Sequence, residues 1–250
     1  MTLHLVRLPL NMRALATFAV ANGASDDDGG YALHLALRRR FGEAGPQPFH
    51  LNTDGPAEPH LLGYATDADA LAEAAGLPAV DDLLDPVFAG PPQLRAMPDG
   101  WREGARYAFQ VRVRPVIRFG TRARAARADR ADAWQKRAGE VDAFVIAAER
   151  AGEGVPVDRE AVYRDWLAER LTPAAELESA ELRLLRRVRT RRSRHGKPGL
   201  GRVEGPDAVM AGTLAVRDPA AFAALLARGV GRHTAFGFGM LLLSPPGRTG

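Results

Sequence analysis

The chain has no cysteine and only two lysines, Lys136 and Lys197. Without cysteine there can be no disulfide, no thiol nucleophile and no cysteine-ligated zinc or iron–sulfur centre. No stretch approaches the roughly 18 apolar residues that would span a bilayer. H-E-x-x-H, D-x-D-x-D-G, G-x-S-x-G and G-K-[ST] runs are also missing, which removes the sequence grounds for a zincin, an EF-hand, a serine-hydrolase elbow or a P-loop. The opening residues, Met1 to Arg7, read as a strand and not as a charged segment followed by a long apolar one. The expectation is a cytoplasmic protein with no membrane partner.

What is present is arginine, glycine and proline in quantity. Of 250 residues, 46% are hydrophobic, enough for one large core or for two domains of about 100 to 125 residues. Lys+Arg number 34 against 30 Asp+Glu, a formal charge of +4. So small an excess decides nothing by its sum, and its distribution along the chain matters more.

Leu3, Leu5 and Leu8 read as one side of an opening strand that Pro9 ends, and Met12 to Ala21 as a short helix. Asn22 to Gly30 is a loop carrying Asp26-Asp27-Asp28, expected to be a solvated turn that places acid before the next helix; divalent-cation binding is the alternative. The helix from Tyr31 to Phe41 has acids before it and arginines in its last turn, which suits the helix dipole. Strands at 49–53 and 61–65, a helix at 67–75 and a weak strand at 93–97 lead to a boundary at Pro98-Asp-Gly100. In the second half Tyr107 to Arg114 alternates as a half-buried strand. Helical patterns follow at Ala131 to Arg150 and Asp158 to Arg170. Strand-like runs at 178–190 and 202–216 bracket a basic loop from Arg191 to Gly199. Asp218-Pro219 then opens a helix to Leu226, and a glycine loop leads into a closing strand. The order β-α-β-β-α-β predicts an α+β chain of two tandem ferredoxin-like (RRM-like) βαββαβ domains, at 1–98 and 105–250. Trp101, Trp134 and Trp166 are expected in the core.

Three constellations could carry function. Between Glu181 and Glu204 there is no acid, while Arg183, Arg186, Arg187, Arg189, Arg191, Arg192, Arg194 and Lys197 crowd together. Such a run on a hairpin repels itself unless a polyanion meets it, which points to nucleic acid. A second cluster at Arg118, Arg122, Arg124, Arg127 and Arg130 is interleaved with Asp129 and Asp132 and reads as a solvated face. On the helix at 31–41, about 100° per residue puts Tyr31, His34 and Arg38 in one narrow arc, away from Leu33, Leu37 and Phe41. A phenol, an imidazole and a guanidinium so placed can orient a hydroxyl, move protons and hold a phosphate, although a lone helical histidine is as often structural. Near the C-terminus, Gly229, Gly231, Gly237 and Gly239 surround Arg232 and His233. This is either turn chemistry or a loop whose backbone approaches phosphate. The spacing is not the dinucleotide fingerprint, because Thr234 stands where its third glycine should be.

The opening strand, Tyr31-Ala-Leu-His34 with its following Ala-Leu, the basic hairpin and the terminal G-x-G-R-H-x-A-F-G-F-G-x-L-L-L resemble the CRISPR-associated endoribonucleases of the type I-E CasE family. The resemblance runs the whole length and implies a repeat-associated RNA-processing enzyme that needs no metal or cofactor. Such a protein binds the hairpin of a CRISPR repeat transcript, cuts at the base of its stem and keeps the mature guide RNA as a subunit of the type I-E surveillance complex. His34 would be the general acid/base, Tyr31 its partner at the attacking 2′-hydroxyl, and Arg38, placed mainly by helical phase, a phosphate contact. In-line attack would leave a 2′,3′-cyclic phosphate and a 5′-hydroxyl. The hairpin from Arg186 to Lys197 and the glycine loop from Gly229 to Gly239 would contact RNA. A non-catalytic RNA-binding subunit on the same fold is the alternative, and a metabolic enzyme for a phosphate-bearing substrate a third reading.

Overall fold

The computed structural model describes residues 2–53, 57–79, 81–118, 139–194 and 197–247, with side chains omitted at 190–194 and 197–203. In the first half, β1 (His4–Pro9) lies between β3 (His60–Ala65) and β4 (Gln93–Ala96), and β2 (Phe49–Asn52) closes the far edge. The order β2-β3-β1-β4, antiparallel throughout, is the ferredoxin-like arrangement. Helices α1 (Met12–Ala21), α2 (Gly30–Phe41) and α3 (Ala68–Gly76) accompany this sheet. In the second half β5 (Arg106–Val113), β8 (Ala175–Arg194), β9 (Lys197–Val216) and β10 (Leu241–Ser244) repeat the order as β10-β5-β9-β8. A small antiparallel pair, β6 (Val116–Arg118) and β7 (Glu140–Asp142), precedes helices α4 (Ala143–Ala151) and α5 (Arg159–Leu171); α6 (Pro219–Arg228) packs later in the chain. The tandem ferredoxin-like architecture expected from the sequence is the one observed.

Helix starts follow local capping chemistry. Asn11 accepts the amides of Arg13 and Ala14, Asp67 that of Ala70, Asp158 that of Glu160, and Asp218 those of Ala220 and Ala221, so each caps donors that have no partner within the helix. At the other end of α3, Arg40 of α2 donates to the carbonyls of Ala74, Ala75 and Leu77, which ties the two helices together.

Each sheet covers its own core. Val6, Leu8, Leu15, Phe18, Leu33, Leu37 and Leu61 fill the first; Phe109, Val111, Tyr163, Trp166, Leu167, Met210 and Phe222 belong to the second. The opening strand differs from expectation, because Leu8 shares the buried face with Val6, whereas Leu3 and Leu5 turn the opposite way and pack against the second core. Both faces of β1 are therefore covered, and a simple one-sided alternation could not show that. Tyr64 completes the seam by donating its hydroxyl to the carbonyl of Leu241 at 2.8 Å; burial pushes that phenol far above its usual pKa.

Two further expectations change. The helix anticipated over 131–150 is, where described, the strand Glu140–Asp142 followed by α4; its first part lies outside the described residues. The strands β8 and β9 run to 20 residues each, so most of the anticipated basic loop is paired strand, with His195 and Gly196 outside the description. Trp166 is buried and Trp101 packs at the margin of the same core, while Trp134 lies outside the described residues.

The glycine loop is held by the fold itself. All four of its glycines have positive φ, between 76° and 83°. A Cβ on Gly239 would stand 2.5 Å from the Val230 carbonyl oxygen, and one on Gly231 would stand 2.8 Å from the Trp166 ring. Gly231→Ala should therefore combine an unfavourable φ with a core clash and cost about 1–3 kcal/mol of unfolding free energy in a urea titration.

Candidate active site

Helix α2 begins without a side-chain cap from Gly29, which is itself left-handed at φ 71°. Its exposed amides are met by the acidic loop instead. The Asp28 carboxylate accepts from the amide of Gly30 at 3.1 Å and that of Asp26 from Tyr31 at 2.9 Å. The anticipated solvated turn is thus half right. Its acids do stand before the helix, but Asp26 is half-buried and the Asp28 side chain is only 3% exposed.

Asp28 also reaches into the second domain. Its other oxygen takes a hydrogen bond from Arg112 at 2.5 Å, and Arg112 in turn grips Asp207 through Nε and Nη2 at 2.7 and 2.8 Å. The Arg112 guanidinium lies over the Phe238 ring, 4.3 Å from its centroid. Burial alone would push the Asp207 carboxyl up. Hydrogen bonds and charge from Arg112 and Arg186 outweigh that and hold it below the usual range.

The arc of Tyr31, His34 and Arg38 read from the sequence lies on the side of α2 away from its core face. Tyr31 and His34 are half-buried and Arg38 is exposed, while Leu33, Leu37 and Phe41 face the core. Phe236, from the glycine loop of the other domain, lies beside two of the three. Its ring meets that of His34 edge-on at 5.0 Å between centroids and that of Tyr31 at 6.1 Å. The backbones are as close, since a Cβ on Gly30 would stand 2.5 Å from the Phe236 carbonyl oxygen. Desolvation first, and then the charge of Arg38, push the His34 pKa below its ordinary value. Arg38 is engaged by Glu43 in an exposed ion pair. His34 and Arg38 open onto a cleft of about 380 Å³ lined also by Gln47, Tyr64 and, from α6, Arg228. Periodicity could not have found Arg228, because folding alone brings it to the helix.

The charged hairpin needs a correction. Arg186, Arg187 and Arg189 are not unopposed, because antiparallel pairing sets Asp207 opposite Arg186 and Glu204 opposite Arg189. Ion pairs result at 2.6 Å for Arg186–Asp207, 3.2 Å for Arg187–Glu204 and 3.6 Å for Arg189–Glu204. The side chains of Arg191, Arg192, Arg194 and Lys197 lie outside the described residues, as does the second basic cluster beyond Arg118. In the glycine loop, Arg232 and His233 each bond Glu140 at 2.8 Å, so both basic groups have an acid within the chain. Glu140 belongs to β7, in the segment anticipated as helix, and no local pattern pointed to this pairing.

Two tandem ferredoxin-like units are an arrangement shared with known proteins. The family described as CRISPR associated protein matches residues 3–245, and the chain belongs to it. Among solved structures, the chain is similar to the CRISPR endoribonuclease Cse3 bound to a 19-nucleotide RNA (20% identity, 98% of this chain and 100% of that one, TM-score 0.64). It is also similar to Thermus thermophilus Cse3 bound to an RNA representing a pre-cleavage complex (20%, 98% and 100%, 0.60). A chain of a CRISPR RNA-guided surveillance complex is a third (17%, 97% and 99%, 0.50). No curated protein matches the chain.

Asp26 offers a test of the loop. Burial and the neighbouring Asp28 charge push its carboxyl up to about 6, and its buried Oδ1 has no hydrogen-bond partner among the described residues. A raised carboxyl pKa means that the folded state prefers the protonated form, so the penalty is absent at low pH, develops between about 4 and 6 and is complete above 6. Asp26→Asn keeps an acceptor for the Tyr31 amide and removes the charge. After discounting for the solvent that still reaches the loop, it should stabilise the protein by about 1 kcal/mol at pH 7.5, or roughly 2–4 °C in Tm. The gain should shrink towards pH 4.5 in parallel melts.

Proposed function

We propose that the protein is an endoribonuclease that processes CRISPR repeat RNA, cutting at the base of the repeat hairpin without metal and retaining the mature guide RNA as a subunit of a type I-E surveillance complex. The observation that carries this reading is the placement of His34. It is half-buried on the first turns of α2, at the mouth of a cleft shared by both domains, with its ring braced by Phe236 and guanidinium groups from Arg38 and Arg228 around the same opening. Family membership and the likeness to RNA-bound Cse3 support it. A pure binder has no need of an imidazole with a lowered pKa in a cleft lined by Arg38 and Arg228, with Glu43 and Asp67 beside them, which favours the enzyme over the non-catalytic subunit.

Each group then has a chemical task. A histidine whose pKa lies below the ordinary value is neutral at physiological pH and can accept the proton of the attacking 2′-hydroxyl. Tyr31, one turn earlier, orients that hydroxyl or its phosphate. Arg38 and Arg228 stabilise charge on the phosphate as the 2′-oxygen attacks in line and the 5′-oxygen leaves. Recognition rests on backbone shape, because A-form RNA hides its base edges in a narrow groove. The hairpin around Arg186, Arg187, Arg189, Arg191, Arg192, Arg194 and Lys197 supplies the phosphate contacts. One carboxylate does not exhaust a guanidinium with five N–H donors, so the paired arginines keep hydrogen-bonding capacity for RNA. In the glycine loop, Gly229, Gly231, Gly237 and Gly239 shape the turn that sets Phe236 against α2 and presents Arg232 to RNA, while His233, its side chain buried against Glu140, contributes by holding that turn.

His34→Ala should lower single-turnover cleavage of a repeat hairpin in EDTA by at least about a hundredfold. It should change hairpin affinity by no more than one hydrogen bond's worth, on the order of 1 kcal/mol. The wild-type rate should be flat at high pH and fall as pH drops through the lowered pKa of His34. Wild-type cleavage by the alanine variant would remove His34 from the mechanism.

Replacing Arg189, Arg191, Arg192 and Arg194 by alanine should weaken binding and flatten its salt dependence by about 0.7 to 0.9 in log–log slope for each phosphate left without its arginine. An unchanged slope would place the RNA elsewhere.

A further inference from the structure

Asp28, Arg112, Asp207 and Arg186 form one continuous chain of ion pairs, with consecutive distances of 2.5, 2.7 and 2.6 Å. It starts at the first turn of α2 and ends on β8, at the foot of the basic hairpin. A second tether runs beside it, since the Asp27 carboxylate accepts the backbone amide of Arg189 at 3.0 Å. Two successive residues of the acidic loop therefore hold two points of the hairpin, three residues apart. Arg112 fastens the glycine loop as well, because its carbonyl accepts the amide of Gly239 at 2.7 Å and its guanidinium covers Phe238. Phe236, which braces His34 and Tyr31, lies in that loop.

We propose that this chain is a positioning device for the cleavage reaction: Asp28 and Arg112, with Asp27 beside them, hold the catalytic face of α2 in register with the RNA-binding hairpin, so that a backbone seated on the hairpin presents one phosphodiester to His34. The inference rests on the endoribonuclease reading above. Neither Asp28 nor Arg112 touches the reacting atoms; both act through α2.

Three features favour registration over simple cohesion. The two domains are already joined by apolar packing, Leu3, Leu5, Leu62 and Tyr64 of the first meeting the core of the second, so cohesion has a source other than the clasp. Buried ion pairs add little net stability over an apolar contact of the same shape, whereas their directionality fixes geometry. In-line attack is sensitive to that geometry, and a misplacement of about 1 Å can cost on the order of a hundredfold in rate.

The test variant is Asp28→Asn in the full chain. The amide oxygen still accepts from Gly30, and Arg112 keeps Asp207, so the fold is retained while the charge linking the two domains is removed. Hairpin-RNA affinity should stay within about threefold of wild type, and single-turnover cleavage at saturating protein should fall at least about tenfold. Amide hydrogen exchange from Gly30 to His34 should quicken. Asp27→Ala, at an exposed position, should show a smaller cleavage loss in the same direction and supplies the test if Asp28→Asn does not fold. Wild-type cleavage with unchanged exchange in the folded variants overturns the proposal. So does a parallel fall of affinity, melting temperature and cleavage, which would mark the clasp as cohesive only. If the wild-type protein itself leaves repeat hairpins intact, the endoribonuclease reading fails, and the exchange measurement still decides whether the clasp fixes α2.

Discussion

A guanidinium buried between two carboxylates links the two domains. Arg112 is 10% exposed, Asp28 3% and Asp207 not at all. An isolated charge at that depth would be costly, and removing one partner of such a group commonly costs about 3–5 kcal/mol because the other is left uncompensated. The three groups therefore require one another, and the requirement runs across the domain boundary. Asp28 is two residues ahead of α2, Arg112 sits near the end of β5 in the second sheet and Asp207 lies on β9, opposite Arg186. Their mutual satisfaction brings a helix from one ferredoxin-like unit to the strands of the other.

Local order was largely legible. The limits of α1, the phase of α2 and the order of strands in both halves all follow from short-range rules of period, capping and turn chemistry. What escaped was whatever depends on residues meeting across the chain. Arg186 and Asp207 are 21 positions apart, and only antiparallel pairing makes them neighbours. A count of acids between Glu181 and Glu204 could not see that Glu204 itself, at the edge of the counted window, would lie opposite Arg189. The same blindness explains the opening strand, where the Leu3 and Leu5 side packs against the second core while Val6 and Leu8 fill the first. Glu140, partner to both Arg232 and His233, lay in a stretch whose composition read as helix.

The glycine loop was legible as a motif and ambiguous as a cause. Its positive φ angles and its close approaches to Val230 and Trp166 give sufficient structural reasons for four glycines. Those reasons do not compete with function, because the same turn carries Phe236 onto His34. A backbone that can adopt the turn is the condition for that contact. Solved relatives at about 20% identity keep the fold over nearly the whole chain, as expected when the binding constraints are on backbone conformation and apolar pattern and not on particular side chains.

If the protein binds RNA as proposed, the acids paired with Arg186, Arg187 and Arg189 change what that binding must accomplish. A truly unopposed arginine run would repel itself in the free protein, and part of the energy of meeting RNA would be relief of that strain. With Asp207 and Glu204 in place, Arg186, Arg187 and Arg189 are partly compensated before any RNA arrives, so binding would displace counterions from RNA and share guanidinium donors with less self-repulsion left to relieve. The acids then act as a filter. A polyanion must offer phosphates at a spacing that reaches several guanidinium groups at once, because a single phosphate gains little over the carboxylate already present. A stem with regularly spaced phosphates meets that condition, and a flexible single strand meets it only after losing conformational entropy. Preference for a folded hairpin can thus arise from the pairing of Arg186, Arg187 and Arg189 with their acids, without any contact to a base.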